Sequence, residues 1–109
     1  MTQTNQVVTI TLNPAYDITG TITALKLGQV NQIQSGQMNP AGKGINVARV
    51  LSDLGAQVTV TGFLGSHNSA SFEQLFQDIN AKDQFVRIAG VTRTNVKLVE
   101  EGRRVSDIN

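Results

Sequence analysis

Cysteine is absent from this 109-residue chain, and histidine occurs once, at position 67. Without cysteine the chain can form neither a disulfide framework nor a thiolate metal site. His67 lies in the polar stretch SHNSAS, far in sequence from any acidic cluster. It is therefore interpreted as a solvated loop residue, and no metal site is expected.

Net charge is also small. Nine basic and eight acidic residues give a formal net charge of +1, and the basic residues are scattered apart from Arg103 and Arg104. This balance lacks the electrostatic footprint of a protein that binds nucleic acid or anionic lipid. Any binding of an anion must therefore be a local property of the chain.

Long apolar runs are missing too. No stretch approaches the roughly 18 residues that a membrane-spanning helix needs. The start MTQTNQVV has neither the charged beginning nor the apolar core of a signal peptide. We expect a soluble, cytoplasmic protein without membrane contact. The content of 39% hydrophobic and 16% charged residues is globular, and the length allows one domain at most.

What is present is an alternation of strand and helix patterns. The β-branched run VVTITL (7–12) predicts a buried strand. Asn13 and Pro14 end this strand, so Tyr16 and Asp17 are expected in the loop just beyond its carboxyl end.

The next segments predict a flat ribbon and then a βαβ unit. Residues 18–37 are cut by glycines and are polar on both faces, which suits short strands in an edge ribbon or flap. From 44 to 54 the apolar period becomes helical, Gly55 ends the helix, and QVTVTGFLG (57–65) predicts a second buried strand parallel to the first. The apolar stripe of the helix is formed by Val47, Val50, Leu51 and Leu54.

The rest predicts a second helix, a third core strand and a hairpin. In SASFEQLFQDIN (69–80) the apolar residues stripe one face, and Ser71 with Gln74 fits a capping box. QFVRI (84–88) predicts the strand, and residues 94–109 alternate on either side of a charged tip, as hairpins do. Because the pattern stops inside the second arm, we expect the amino-terminal part of a larger α/β protein.

The start of the first helix carries the most distinctive motif, in which small residues flank Lys43. A helix start offers unpaired N–H groups and the positive end of the helix dipole, so it can bind an anion, and Asn46 faces the same mouth. A tight turn with a solvated Lys43 fits the same spacing. The small residues are Ala41, Gly42 and Gly44.

Two common nucleotide motifs do not fit this loop. A P-loop needs a glycine five places before the second glycine and a hydroxyl residue after the lysine, but Gln37 and Gly44 stand there. The dinucleotide fingerprint needs a third glycine where Val47 stands. The sequence therefore gives no support for NAD binding.

Two further residues are candidates for binding a ligand at the same sheet edge. Asp17, beyond the first strand, can accept hydrogen bonds from sugar hydroxyls, and an ordinary turn-capping aspartate is the alternative. Arg93 opens the predicted hairpin and can bind an anion with its fork of donors, although a lone arginine is weak evidence.

Four segments in order resemble the amino-terminal part of the ribokinase-like sugar kinases of phosphofructokinase-B type, over nearly the whole chain. They are TLNPAYD, AGKGINVARVLSDLG, TGFLG and TRTNVKLVEE. The resemblance implies an α/β fold with a central, mostly parallel sheet flanked by helices and a small β lid. It also implies transfer of the γ-phosphate of ATP to a phosphosugar, most closely fructose 1-phosphate, giving fructose 1,6-bisphosphate. Tagatose 6-phosphate and fructose 6-phosphate are the alternative substrates.

The resemblance also implies a role for five residues. Asp17 matches the family aspartate that binds sugar hydroxyls. Gly42, Lys43 and Asn46 match the glycine-rich substrate loop, and Arg93 matches an arginine that contacts the phosphosugar. No catalytic base, ATP-binding residue or metal ligand is assigned, because the family carries the base and the site for ATP and Mg²⁺ in its carboxyl-terminal half.

Other implications concern the lid and the loop. Segments 18–37 and 94–109 match lid strands, which in such kinases often pair between subunits, so a homodimer is implied. Ala41 stands where the family usually has glycine, which restricts the loop backbone. The chain alone is expected to be inactive. An anion-binding module without chemistry and a regulatory or dimerising domain stay open as alternatives.

Overall fold

The computed structural model describes residues 5–102 and 104–109, and these form two compact units. The first unit contains the residues up to Ala15 and Pro40–Arg93, and the second contains Tyr16–Asn39 and Thr94–Asn109. The elements in chain order are β1 (Gln6–Thr11), β2 (Ala15–Ile22), β3 (Ser35–Ala41), α1 (Lys43–Asp53), β4 (Gln57–Gly65), a 3-10 turn (Ser66–Asn68), α2 (Ala70–Asp78), β5 (Lys82–Asp83), β6 (Val86–Ile88), β7 (Arg93–Glu100) and β8 (Val105–Ile108).

The first unit is built on a parallel pair of strands. β1 runs parallel to β4, with Gln6 opposite Gln57 and Thr11 opposite Gly62, and α1 packs on both strands. The predicted βαβ unit is thereby confirmed. Gly55, with φ of +92°, follows the end of α1 as expected.

The third core strand differs from the prediction, because two short strands replace the single run 84–88. β5 and β6 both pair in parallel with β4. Between them the Asp83 carboxylate accepts the Phe85 amide at 3.0 Å, and the Gln84 amide donates to the Val60 carbonyl at 2.8 Å. This side-chain bond bends the chain and breaks the strand there.

Arg87 ties this strand region to α2. Its Nη2 lies 2.6 Å from Asp83 Oδ2 and 2.7 Å from Glu73 Oε2. The hydrogen bond from the guanidinium holds the pKa of the Asp83 carboxyl below its ordinary value of 3.8, and the same pairing raises the pKa of Arg87.

The predicted buried stripe of α1 is wrong. The fully buried residues of the helix are Ile45 and Ala48, whereas Val47, Val50 and Leu54 are at least half exposed. Ile45 and Ala48 lie against the sheet because Gly44, beside Ile45, lets the helix backbone approach β1 closely.

The second helix has the predicted buried face but not the predicted cap. Phe72 and Phe76 are fully buried, and Phe76 stacks on Phe85 with ring centroids 5.3 Å apart. Ser71 lies inside the helix, and the Gln74 side chain donates to Asp78 at 2.9 Å instead of forming a capping box. Within residues 5–102 and 104–109, no helix is long and apolar enough to cross a bilayer.

The second unit is a sheet with the strand order β3-β2-β7-β8. β7 and β8 are antiparallel, with Val96 opposite Ile108 and Val99 opposite Val105, which confirms the predicted hairpin. Arg103, expected at its charged tip, lies outside the described residues. Glu100, the last residue of β7, is buried, and its Oε1 accepts a hydrogen bond from Arg104 Nε at 2.7 Å.

Candidate functional site

The loop that opens α1 presents backbone donors and a cation together. Gly42 is the residue before the helix, and its carbonyl accepts the Asn46 amide at 2.9 Å. Among the described residues no side chain caps this helix start, and the first turn contains no acidic residue. The amides of the first turn therefore retain the capacity to bind an anion, reinforced by the helix dipole.

Both glycines of the loop are required by the close approach of β1. Gly42 has a φ of +153°, and a Cβ there would lie 2.6 Å from Thr11 Cγ2. A Cβ on Gly44 would collide with Thr11 Oγ1 and lie 2.6 Å from the Ile10 carbonyl oxygen. Only glycine at both positions allows the first turn of α1 to lie directly against the end of β1.

Three of the predicted site residues are brought together at this helix start. Lys43 is the first residue of α1 and Asn46 the fourth, so they are neighbours on the helix surface, and both are exposed. Gly42 is joined to Asn46 by the hydrogen bond already described. A charged amine, an amide side chain and free first-turn amides thus face the same solvent region.

Arg93 shares a turn with this loop. Its Nη2 donates to the Asn13 carbonyl at 3.3 Å, a long hydrogen bond, in the turn that follows β1. The next residue, Pro14, has its Cα 3.7 Å from the position that a Gly42 Cβ would occupy. Arg93 and the start of α1 therefore contact the same Asn13-Pro14 turn.

Asp17 lies in the second unit, on a strand and not in the predicted loop. β2 begins at Ala15, so Asp17 is its third residue, and its exposed carboxylate accepts Asn95 Nδ2 at 3.3 Å. The turn after β1 is shorter than expected because β2 starts directly after Pro14.

A cavity of about 160 Å³ within the second unit is lined in part by Asp17. Its lining includes Asn95, Lys97 and Asp107, with Lys97 Nζ 3.8 Å from Asp107 Oδ1. These groups can bind the hydroxyl groups of a small polar molecule: the carboxylates accept hydrogen bonds, the ammonium group donates them, and the amide does both.

Sequence reasoning missed two residues beside the α1 loop. Arg49 is half-buried and donates from Nη2 to the Pro40 carbonyl at 3.0 Å, which holds the segment before the loop against the helix. Thr11 is buried beneath the two glycines. The three-residue spacing of Asn46 and Arg49 puts both on one helix face and so indicates that Arg49 lies near the loop. No sequence pattern indicates the burial of Thr11.

His67 occupies the 3-10 turn as an exposed residue, in agreement with its interpretation as a surface residue. Its amide donates to the Gly90 carbonyl at 3.0 Å. Over the part of the chain that the structure describes, no group of three or more His, Asp or Glu side chains could hold a metal ion.

Comparison with known proteins finds a matching family profile and a similar curated protein. The sequence profile described as pfkB family carbohydrate kinase matches residues 5–109. The chain is 58% identical to the 1-phosphofructokinase of Vibrio cholerae over 97% of its own length, and that match covers 33% of the Vibrio protein.

Two solved structures share its fold. A candidate phosphofructokinase from Staphylococcus aureus matches with a TM-score of 0.84 and 29% identity, over 94% of this chain and 33% of that one. A possible 1-phosphofructokinase from Thermotoga maritima matches with a TM-score of 0.79 and 34% identity, over 96% of this chain and 35% of that one. The predicted α/β, ribokinase-like fold is confirmed, and the chain spans about a third of the length of these relatives.

Proposed function

This chain belongs to the pfkB family of carbohydrate kinases, and we propose on that premise that the full-length protein is a 1-phosphofructokinase. The reaction moves the γ-phosphoryl group of ATP to a hydroxyl of fructose 1-phosphate and yields fructose 1,6-bisphosphate, ADP and a proton. The observation that carries the proposal is the uncapped start of α1, where Lys43 stands beside first-turn amides on a two-glycine loop. The proposal includes a cytoplasmic location, where ATP is available.

The α1 loop is proposed to bind the anionic end of the phosphosugar. A helix start stabilises an anion by about 0.3–1 kcal/mol at an exposed site, and up to about 2 kcal/mol where it is partly buried. The Lys43 ammonium adds a charge-assisted hydrogen bond, and Asn46 adds a neutral donor. Arg93, on the turn shared with this loop, is proposed as a second cation for the same ligand.

Asp17 is proposed to recognise the sugar hydroxyls. A carboxylate accepts hydrogen bonds only, so it selects donors such as hydroxyl groups and repels a phosphate. Asp17 is therefore proposed for the sugar end of the substrate, and the α1 loop for its phosphate. The polar cavity lined in part by Asp17 supports this division.

ATP and Mg²⁺ are proposed to bind mainly to the part of the protein beyond this chain. The described residues do not fit a magnesium site, because no three of their acidic or histidine side chains cluster. The catalytic base is assigned to the same missing part. General-base assistance alone is worth about 10²- to 10⁴-fold, so the 109-residue chain is expected to show no kinase activity in a coupled assay.

The second unit is proposed to act as a lid whose strands pair between two subunits. β3 and β8 are the outer strands of its sheet, and their side chains are largely exposed. An exposed edge strand can add a strand from a second molecule. Sedimentation of the full-length protein should therefore report a dimer, and a monomer would contradict this part of the proposal.

The substrate assignment is tested with the full-length protein in a coupled kinase assay. Fructose 1-phosphate, tagatose 6-phosphate and fructose 6-phosphate are supplied in turn with Mg²⁺ and ATP. We expect the highest kcat/KM with fructose 1-phosphate. A higher value with another phosphosugar would reassign the substrate, and absence of turnover with all three would leave a non-catalytic anion-binding module as the better reading.

A further inference from the structure

Thr11, the last residue of β1, lies at the point where the α1 loop meets the sheet. The residue is 6% exposed, and its Oγ1 makes no hydrogen bond to any described residue. A buried hydroxyl without a partner lowers stability, because it has lost its bonds to water. The side chain therefore needs an explanation other than its contribution to the stability of the fold.

Each branch of the Thr11 side chain faces a different glycine of the loop. The methyl group Cγ2 lies beneath Gly42, at 2.6 Å from where a Cβ would be, and the hydroxyl Oγ1 lies beneath Gly44 at still closer range. The carbonyl of Thr11 approaches a third glycine, Gly62 of β4, in the same way. Three glycines from two chain segments, the α1 loop and β4, thus converge on one threonine.

The size of each branch matters at such short distances. A hydroxyl oxygen is smaller than a methyl group, so a valine at this position would press its second methyl against the Gly44 backbone. Close-packed interiors resist an added group and shift the backbone in response. Gly44 cannot retreat freely, because it lies within the first turn of α1 and the helix would have to move with it.

We propose that Thr11 is a positioning residue for the substrate loop, and this rests on the proposed kinase function. Its hydroxyl and methyl branches set the distance between β1 and the Gly42–Gly44 backbone. They thereby set where Lys43 and the first-turn amides meet the phosphosugar. Thr11 acts through the loop and does not touch the ligand, since its side-chain oxygen is buried.

Thr9 provides a matched control. It lies two residues earlier on the same strand and faces the same way, it is 7% exposed, and its Oγ1 likewise lacks a partner among the described residues. None of the atoms nearest to a Cβ at Gly42 or Gly44 belongs to Thr9. Replacing either threonine by valine removes one unpaired buried hydroxyl, but only the change at Thr11 acts on the loop.

The test compares Thr11→Val, Thr11→Ser and Thr9→Val in the full-length protein. A displacement near 1 Å can cost about 10²-fold in reactivity, so we expect Thr11→Val to raise the KM for fructose 1-phosphate by about 10-fold or more. The KM for ATP should stay within about twofold of the wild-type value, since ATP binds elsewhere. Thr11→Ser keeps the small oxygen beneath Gly44 and should recover most of the affinity, and Thr9→Val should change neither constant.

A second readout works without substrate. The Asn46 amide, which donates to Gly42, should exchange its hydrogen about fivefold faster or more in Thr11→Val than in Thr9→Val. Equal KM values and equal exchange rates in the two valine variants would overturn the inference while the wild-type enzyme remained active. An inactive wild-type enzyme would instead overturn the proposed function, and the exchange rates would still decide whether Thr11 positions the loop.

Discussion

Lys43 is the side chain whose charge the proposed phosphosugar site depends on most. Losing a hydrogen bond to a charged group costs about 1.5–3 kcal/mol, so Lys43→Met should raise the KM for fructose 1-phosphate by about 10- to 100-fold. The KM for ATP should change little. Lys82→Met, an exposed lysine of β5 in the same unit, is the control and should leave both constants unchanged. Steady-state kinetics with each substrate varied in turn measures the difference.

Asp17 tests the other end of the proposed substrate. Asp17→Asn keeps the shape of the side chain but replaces one acceptor oxygen by a donor, so sugar hydroxyls lose a charged acceptor. We expect kcat/KM for fructose 1-phosphate to fall by about 10- to 100-fold. Asp53→Asn, at the exposed end of α1, should be silent. If both variants behave alike, Asp17 does not bind the sugar.

Residue types at the site could be predicted more readily than their surroundings. The glycine-lysine spacing indicated the start of α1 because a helix needs a turn and free amides there. Thr11 could not be found this way, since its contacts with residues 42, 44 and 62 exist only after the strands and helix have packed. Asp17 was expected in a loop because Pro14 ends β1, but β2 begins directly afterwards.

At the scale of elements, the ion pairs of Arg87 hold β5, β6 and α2 together. The pKa of Asp83 is lowered in the folded state, so its stabilising effect is present above the ordinary value of 3.8 and is lost as the pH falls below it. Asp83→Asn should lower the free energy of unfolding by about 1 kcal/mol near neutral pH, because the pair is partly exposed.

Urea titrations over a range of pH measure this effect. The difference between the wild type and Asp83→Asn should shrink as the pH falls through the acidic range, where the wild-type carboxyl is itself protonated. A difference that is the same at neutral and at strongly acidic pH would show that Asp83 acts through packing and not through its charge. Asp53→Asn again serves as the exposed control.

Hydrophobic periodicity predicted which segments are helices and strands. It did not predict which face of α1 is buried. The helix carries apolar residues on two sides, Ile45 with Ala48 and Val47 with Val50, and a period of 3.6 residues fits either side. Gly44 decides between them by letting one side approach β1. The third strand was also misjudged, because the bond from the Asp83 side chain to the Phe85 amide is not visible in hydrophobic periodicity.

At the scale of the whole molecule, the first unit exposes apolar side chains on both of its layers. Val8 and Ile10 of β1 are 61% and 63% exposed, and Phe63 of β4 is 45% exposed. Val47 and Val50 are exposed on α1 as well. Exposed apolar side chains in this number favour association.

The 109-residue chain expressed alone should therefore bind the dye ANS and self-associate. Light scattering and dye fluorescence measure this, and Ile10→Thr should reduce both signals because it removes apolar surface without burying a polar group. The relatives are about three times as long as this chain. The full-length protein should therefore bind far less dye. If the chain stays monomeric and binds no dye, the exposed apolar side chains of the first unit do not cause association.

A structure of the full-length protein with bound fructose 1-phosphate would show whether the α1 loop binds the phosphosugar. We expect the phosphosugar to form hydrogen bonds with the first-turn amides of α1 and with Lys43, and its hydroxyl groups to contact Asp17. ATP or an analogue, added second, should bind away from this loop. Phosphates of ATP bound at the start of α1, or a phosphosugar that contacts neither Lys43 nor Asp17, would contradict the proposed function.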